Sequence, residues 1–131
     1  MELAKVKRKD LIYPELSYQI LGCAFAVFNE IGPGQLENVY HKALMIALKN
    51  DGVGAVTQAY SSIHFQGEVV GKNFFDILVD GKIIVELKRN SSFSRDHIAQ
   101  VTRYLKASNL TLALLVNFGT NGVQCKRILN L

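Results

Sequence analysis

The sequence predicts an α/β domain with helices against a central mixed sheet, its elements in the order α-α-β-β-β-α-β-β. Three observations carry that expectation. Two helical stretches, 15–31 and 36–50, open the chain on either side of the breaker Gly32-Pro33-Gly34. Extended patterning follows and ends in N-F-F-D-I-L-V-D-G-K-I-I-V-E-L-K-R at 73–89. After a third helical stretch comes T-L-A-L-L-V-N-F at 111–118, which reads as a strand covered on both faces. The crossover into it is right-handed by rule.

A chain of 131 residues suits one domain with one sizeable core. Residues 1–13 read as a basic N-terminal tail and 14–131 as the domain. Lys5, Lys7, Arg8 and Lys9 make that tail either a solvated segment or a short arm that touches phosphates. The net charge of +4 permits a polyanionic partner without demanding one. Cys23 and Cys125 lack metal-type spacing and are expected to be buried free thiols in a reducing compartment. The N-terminus has no signal-peptide pattern. The longest uncharged run, Leu16 to Asn29, falls short of the roughly 20 residues that span a membrane. A cytoplasmic protein is expected.

In the first helix, Leu16, Ile20, Ala24, Val27, Phe28 and Ile31 recur at helical spacing after Pro14. Leu21, Phe25 and Ala26 widen the stripe, so this helix should be mostly buried. The second helix turns Leu36, Val39, Tyr40, Ala43, Leu44, Ala47 and Leu48 inward and closes at Asp51-Gly52. Glu37 lies in its first turn, where a carboxylate also suits the positive helix end. His41 is expected on the surface or in packing. Residues 53–66 are extended, with a turn at Gln66-Gly67-Glu68, and His64 points outward. Ser92 or Ser94 caps a helix running to about Ala107, with Ile98, Val101, Tyr104 and Leu105 inside. Gln100 and Tyr104, four apart, share a helix face. Val123 to Leu129 forms the last strand.

The stretch 73–89 reads as two apolar strands joined at Asp80-Gly81, interrupted by Asp76, Glu86 and Lys88. Charges in a buried strand are costly unless they are paired or hold a metal. A two-residue turn would set the all-apolar face of one strand beside the charged face of the other. A three-residue loop, Val79-Asp80-Gly81 with Gly81 left-handed, pairs Leu78 with Lys82 and Asp76 with Ile84. Phe75, Ile77, Val79, Ile83, Val85 and Leu87 then share one dry face, and Asp76, Glu86 and Lys88 share the other. Asp76 and Glu86 become diagonal neighbours, with Cβ atoms about 7 Å apart. Two carboxylates so placed can share a divalent cation. An ion-paired trio without metal satisfies the same spacing.

Asp76, nine residues, then Glu86-x-Lys88 resembles the D…(D/E)-x-K core of the PD-(D/E)XK nuclease superfamily, although Phe75 stands where the superfamily name has Pro. Gly34-Gln35-Leu36-Glu37-Asn38-Val39-Tyr40 resembles the signature of the GxxExxY proteins, usually placed within that superfamily. V-E-L-K at 85–88, A-Q-x-x-x-Y-L at 99–105 and L-L-V-N-F-G at 114–119 extend the likeness, and Gln100-x-x-x-Tyr104 resembles an element of the exonuclease-like branch. The resemblance implies a restriction-endonuclease-like core and a one-metal site. Asp76 and Glu86 would bind Mg2+ or Mn2+, joined by the Leu87 backbone carbonyl and by Glu37, directly or through water. Lys88 would orient or deprotonate the attacking water. Gln100 would hold that water or a phosphate oxygen, and Tyr104 would support the contact.

The function so implied is metal-dependent hydrolysis of DNA, with RNA or another phosphoester open. The other reading is a catalytically idle nucleic-acid-binding or protein-interaction module. Lys72, Lys82, Arg89, Arg95 and Arg103 are the candidate phosphate contacts. A homodimer is expected, because the domain is small for enclosing a duplex alone.

Overall fold

The computed structural model describes residues 12–89 and 92–131. The expected tail thus lies almost wholly outside the described residues, as does Asn90. Helix α1 (Pro14–Ile31) begins with proline in its first turn, where the missing N–H costs nothing. Helix α2 (Glu37–Asn50) follows a short loop. Five strands come next: β1 (Ala55–Thr57), β2 (Tyr60–Phe65), β3 (Glu68–Phe74), β4 (Ile77–Val79) and β5 (Ile83–Arg89). Helix α3 (Arg95–Ser108) leads to β6 (Leu112–Phe118) and β7 (Val123–Leu129). Ser94 caps α3 as expected, its hydroxyl accepting the His97 N–H at 3.1 Å.

The main sheet has the order β1-β4-β5-β6-β7. Among the described strands only β5 and β6 run parallel, with α3 as their crossover. Strands β2 and β3 pair with each other alone, as a separate ribbon. The extended stretch therefore yields five strands where three were expected. Gln58, with φ of 54°, breaks the 53–66 segment into β1 and β2. The turn at Gln66-Gly67 folds β3 back on β2, absorbing residues 68–74 that the sequence pattern leaves to a loop and to the central hairpin.

The central sheet is covered on both faces. Ile77, Val79, Ile83, Val85 and Leu87 meet Leu112, Leu114, Val116 and Phe118 under α1 and α2. Ile84, Ala113 and Leu115 meet Val101, Tyr104 and Leu105 of α3. Strand β6 is buried throughout, as an apolar run broken only by Asn117 requires. The buried stripe of α1 is narrower than expected. Phe25 and Ala26 are exposed, while Ile20, Cys23, Ala24 and Val27 pack into the core formed with α2 and the sheet. Leu36 and Val39 are likewise exposed at the start of α2. Both cysteines are free thiols, Cys23 buried and Cys125 half-buried in β7.

The hairpin register differs from expectation by two residues. Leu78 pairs with Ile84 and Val79 with Ile83. The reason lies in the turn. Asp80 and Gly81 are both left-handed, at φ of 54° and 67°, and the Lys82 N–H closes onto the Val79 carbonyl at 2.9 Å. Lys82 thus becomes the third loop residue. A two-residue shift leaves the side chains of β4 and β5 on their expected faces. Carried one residue past Ile77, this register sets Asp76 opposite Glu86 rather than diagonal to it.

Phe75 departs from the expected dry face. The chain bends at Phe75-Asp76, between β3 and β4, and the Phe75 N–H bonds the Ala59 carbonyl at 2.8 Å. Alternation is interrupted there, and the Phe75 ring packs against Tyr104 on the α3 side, centroids 5.3 Å apart.

Candidate active site

Asp76 and Glu86 meet just before β4 begins, beside the middle of β5. The Asp76 N–H donates to Glu86 Oε2 at 2.7 Å. The Leu87 N–H donates to Asp76 Oδ2 at 2.8 Å. The bend at Phe75-Asp76 makes this possible: β4 begins only at Ile77, so the side chain of Asp76 takes the donor a longer β4 would have paired. Each carboxylate is fixed by a backbone group of the other's strand, and charge-assisted bonds of this kind are short and strong.

Glu86 is only 6% exposed in a strand that otherwise buries hydrocarbon. Its pKa is pushed from 4.5 to about 7, first by burial and then by the Asp76 charge. The Asp76 N–H and the Lys88 ammonium act in the opposite sense, and Glu37 adds to the rise. Lys88 follows Glu86 by two residues on the same face of β5, and Glu37, in the first turn of α2, acts on that carboxyl through its charge. Tyr104 approaches from α3, and its hydroxyl pKa is raised by burial, then by Glu86 and Asp76. Gln100 is half-buried one turn before Tyr104. Among the described residues, no three His, Cys, Asp or Glu side chains cluster closely enough to hold a metal between them. Glu37 therefore stands back from the Asp76–Glu86 pair.

The loop before α2 is tied to the strand that carries Glu86. The Arg89 guanidinium donates to the Gln35 carbonyl at 3.0 Å. The buried Tyr40 hydroxyl donates to the Gly32 carbonyl at 2.7 Å and accepts from the Gln35 N–H at 3.2 Å. Gly32 and Gly34 are left-handed, at φ of 74° and 86°, which a side chain would resist. These bonds set the first turn of α2, and with it Glu37.

Of the candidate phosphate contacts, Arg89 serves this loop. Lys72 lies over the Tyr60 ring on the ribbon, at 4.3 Å. Arg95 and Arg103 are exposed on α3. Lys82 pairs with Asp80 at 3.5 Å in the hairpin loop, at the end of β5 away from Glu86.

Two residues escaped the sequence reading. His41 Nε2 lies 2.7 Å from Thr57 Oγ1, and that hydroxyl reaches the Asp76 carbonyl at 3.4 Å. Its spacing, four residues after Glu37, was the available signal. Asn117, 3% exposed, pairs with Lys88 across β5 and β6 and borders a polar cavity of about 550 Å3. A lone amide within an apolar run was the signal there.

A mixed sheet covered on both faces, with two carboxylates and a lysine gathered about its central strand β5, has the make-up of a nuclease-type core. The sequence matches the model of the PD-(D/E)XK nuclease superfamily over residues 14–128, and the chain belongs to that superfamily. Among solved structures it is similar to SSO0001, with a TM-score of 0.57 and 22% identity over 72% of this chain. It spans 50% of that protein's length. It is also similar to an alkaline exonuclease from Laribacter hongkongensis, with a TM-score of 0.51 and 13% identity over 98% of this chain and 75% of the other. Both likenesses concern the fold. No curated protein matches the chain. Among the described residues, no helix is long and apolar enough to cross a membrane.

Proposed function

We propose that the chain is a metal-dependent nuclease acting on DNA, of the GxxExxY branch of its superfamily. One observation carries this reading: Asp76 and Glu86 converge through reciprocal backbone bonds, with Lys88 beside them.

The donor set fits a hard divalent cation. Glu86 is opposed by burial and by Asp76, and a cation between the carboxylates would relieve both. Glu86 Oε2 and Asp76 Oδ2 are engaged with N–H groups, so one oxygen of each remains for a ligand among the described residues. The N–H and C=O of a strand residue face the same side, which directs the Leu87 carbonyl toward Asp76. Asp76, Glu86 and that carbonyl would hold Mg2+ or Mn2+, with Glu37 reaching it through water. Few protein ligands and several waters suit magnesium. When bound, the cation would lower the pKa of a ligated water and offset charge on the phosphoryl oxygens.

The protein's own groups supply the rest. Lys88 would orient the attacking water as an ammonium or, as the neutral amine, take that water's proton. Gln100 holds that water or a non-bridging phosphate oxygen. Tyr104 keeps its hydroxyl proton, since its surroundings raise its pKa, and donates in support of the same contact. Lys72, Arg95 and Arg103 meet phosphates along the strand.

The test is incubation with labelled single- and double-stranded DNA, and RNA beside them, in Mg2+, Mn2+ or EDTA. Cleavage is expected only with metal, and neither Asp76→Ala nor Lys88→Ala should cut. Cleavage that survives EDTA or either substitution overturns the mechanism.

A further inference from the structure

The β2–β3 ribbon is a sheet separate from the main one, and β2 lies against α3. Across the ribbon, Tyr60 pairs with Phe74 and Ser62 with Lys72, so these four side chains share a face. Tyr60 is 52% and Phe74 56% exposed. Their rings meet at 5.8 Å with planes 49° apart, and the Lys72 ammonium lies 4.3 Å from the centre of the Tyr60 ring. Two large aromatics at half exposure on adjacent strands form a contiguous exposed apolar surface. A cation over one ring gives that surface the sign that suits a polyanion.

The ribbon's base is fastened to the candidate site. The Gln58 N–H donates to the Asp76 carbonyl at 3.2 Å, and the Phe75 N–H donates to the Ala59 carbonyl at 2.8 Å. Tyr60 follows Gln58 by two residues, and Phe74 precedes Asp76 by two. Two residues of chain reach at most about 7 Å. The aromatic pair therefore sits one short step from a carboxylate that would hold the metal.

We propose that this face is a platform for single-stranded nucleic acid. Bases stack on Tyr60 and Phe74, and Lys72 meets the backbone of the same strand. Aromatic rings stack on any base, so the platform reads strandedness rather than sequence. The inference builds on the nuclease reading by naming the form of substrate that the site receives: an unpaired strand, such as a frayed end or overhang.

Binding is measured in EDTA, where no cleavage is needed, with the full chain and fluorescein-labelled single-stranded and blunt duplex DNA. Tyr60→Ala and Phe74→Ala should each weaken single-strand affinity about tenfold and leave duplex affinity unchanged. Tyr60→Phe should restore it, which separates lost stacking from a damaged ribbon. The chain contains no Trp, so Phe74→Trp introduces a single reporter whose emission single strands should quench. Unchanged affinity in both alanine variants, or no quenching, overturns the platform. So does loss of a dimer in sedimentation when Tyr60 or Phe74 is truncated, which would assign the face to a second copy. Reduced single-strand binding without cleavage in any metal keeps the platform and removes the nuclease. Metal-dependent cleavage with unaltered single-strand affinity does the reverse.

Discussion

The ring of Tyr40 lies flat on Phe118, centroids 4.2 Å apart and planes within 1°. The stack joins α2 to the end of β6, and the Tyr40 hydroxyl joins α2 to its own preceding loop. The tyrosine three residues after Glu37 thus acts as a clamp on the loop that aims Glu37. Tyr40→Phe keeps the stack and strips the Gly32 carbonyl and Gln35 N–H of their partner. The expected cost is about 1–3 kcal/mol in urea unfolding, since a buried group left unpaired bears its full desolvation penalty. Tyr40→Ala adds a cavity and should cost about 3–5 kcal/mol. A Tyr40→Phe protein as stable as the wild type would show that the clamp carries no load.

Glu86 makes stability depend on pH in an unusual direction for a carboxylate. Its folded pKa, about 7, stands above its ordinary value of 4.5. Between those values the folded chain keeps a proton that the unfolded chain has released. Stability is therefore greatest, as far as Glu86 is concerned, below pH 4.5 and declines as pH rises through 7. The full cost of ionising it in the metal-free protein is on the order of 3 kcal/mol. Glu86→Gln retains an acceptor for the Asp76 N–H and removes the titration. In EDTA at pH 8 it should melt above the wild type, with the difference vanishing near pH 4. Parallel pH profiles for the two proteins would reject this account.

Metal should reverse that penalty. A cation bound only to the folded state at 100 times its Kd stabilises by about 2.7 kcal/mol. In a domain of this size that is a rise in Tm of roughly 10 °C. Asp76→Asn keeps an acceptor for the Leu87 N–H but loses the ligand charge. Thermal melts with and without Mg2+ should show the shift in wild type and none in Asp76→Asn. An equal shift in both would place the metal elsewhere.

The parts of this architecture governed by periodicity were readable from residue order. Strand β6 announces itself by having no polar residue before Asn117, and α3 by its Ser94 cap and inner stripe. The shared face of Glu86 and Lys88 was readable too, because residues two apart in a strand point the same way, and a register shift of two sets Asp76 opposite Glu86. What escaped was local backbone geometry. Nothing in the pattern required Asp80 to be left-handed, and that one residue set the hairpin register. The bend at Phe75-Asp76 also left no periodic trace, yet it sends Phe75 to Tyr104 and turns Asp76 toward the Leu87 N–H. His41 was out of reach for a different reason. Its partner Thr57 is 16 residues away on an edge strand, a pairing that only the folded chain creates.

Lys88 offers the sharpest separation of binding from chemistry. It lies half-buried on β5, two residues after Glu86, and its ammonium favours the ionised form of that carboxyl. Replacing it with methionine keeps the hydrocarbon stem but removes both that support and the group that orients the attacking water or, as the neutral amine, takes its proton. Two consequences follow, at different pH. Near pH 6 the Glu86 carboxyl should hold its proton more firmly, so Mg2+ should bind more weakly to Lys88→Met than to wild type. At pH 8.5 the carboxyl is ionised in both proteins, and the Mg2+-induced rise in Tm should be nearly the same. Cleavage at pH 8.5 should nevertheless fall by about 10²–10⁴, the range for losing a positioned acid or base. Melting curves and single-turnover cleavage at the two pH values check both parts. Restored cleavage in Lys88→Met at high pH would reduce Lys88 to an electrostatic neighbour of Glu86, with the proton of the attacking water leaving by another route.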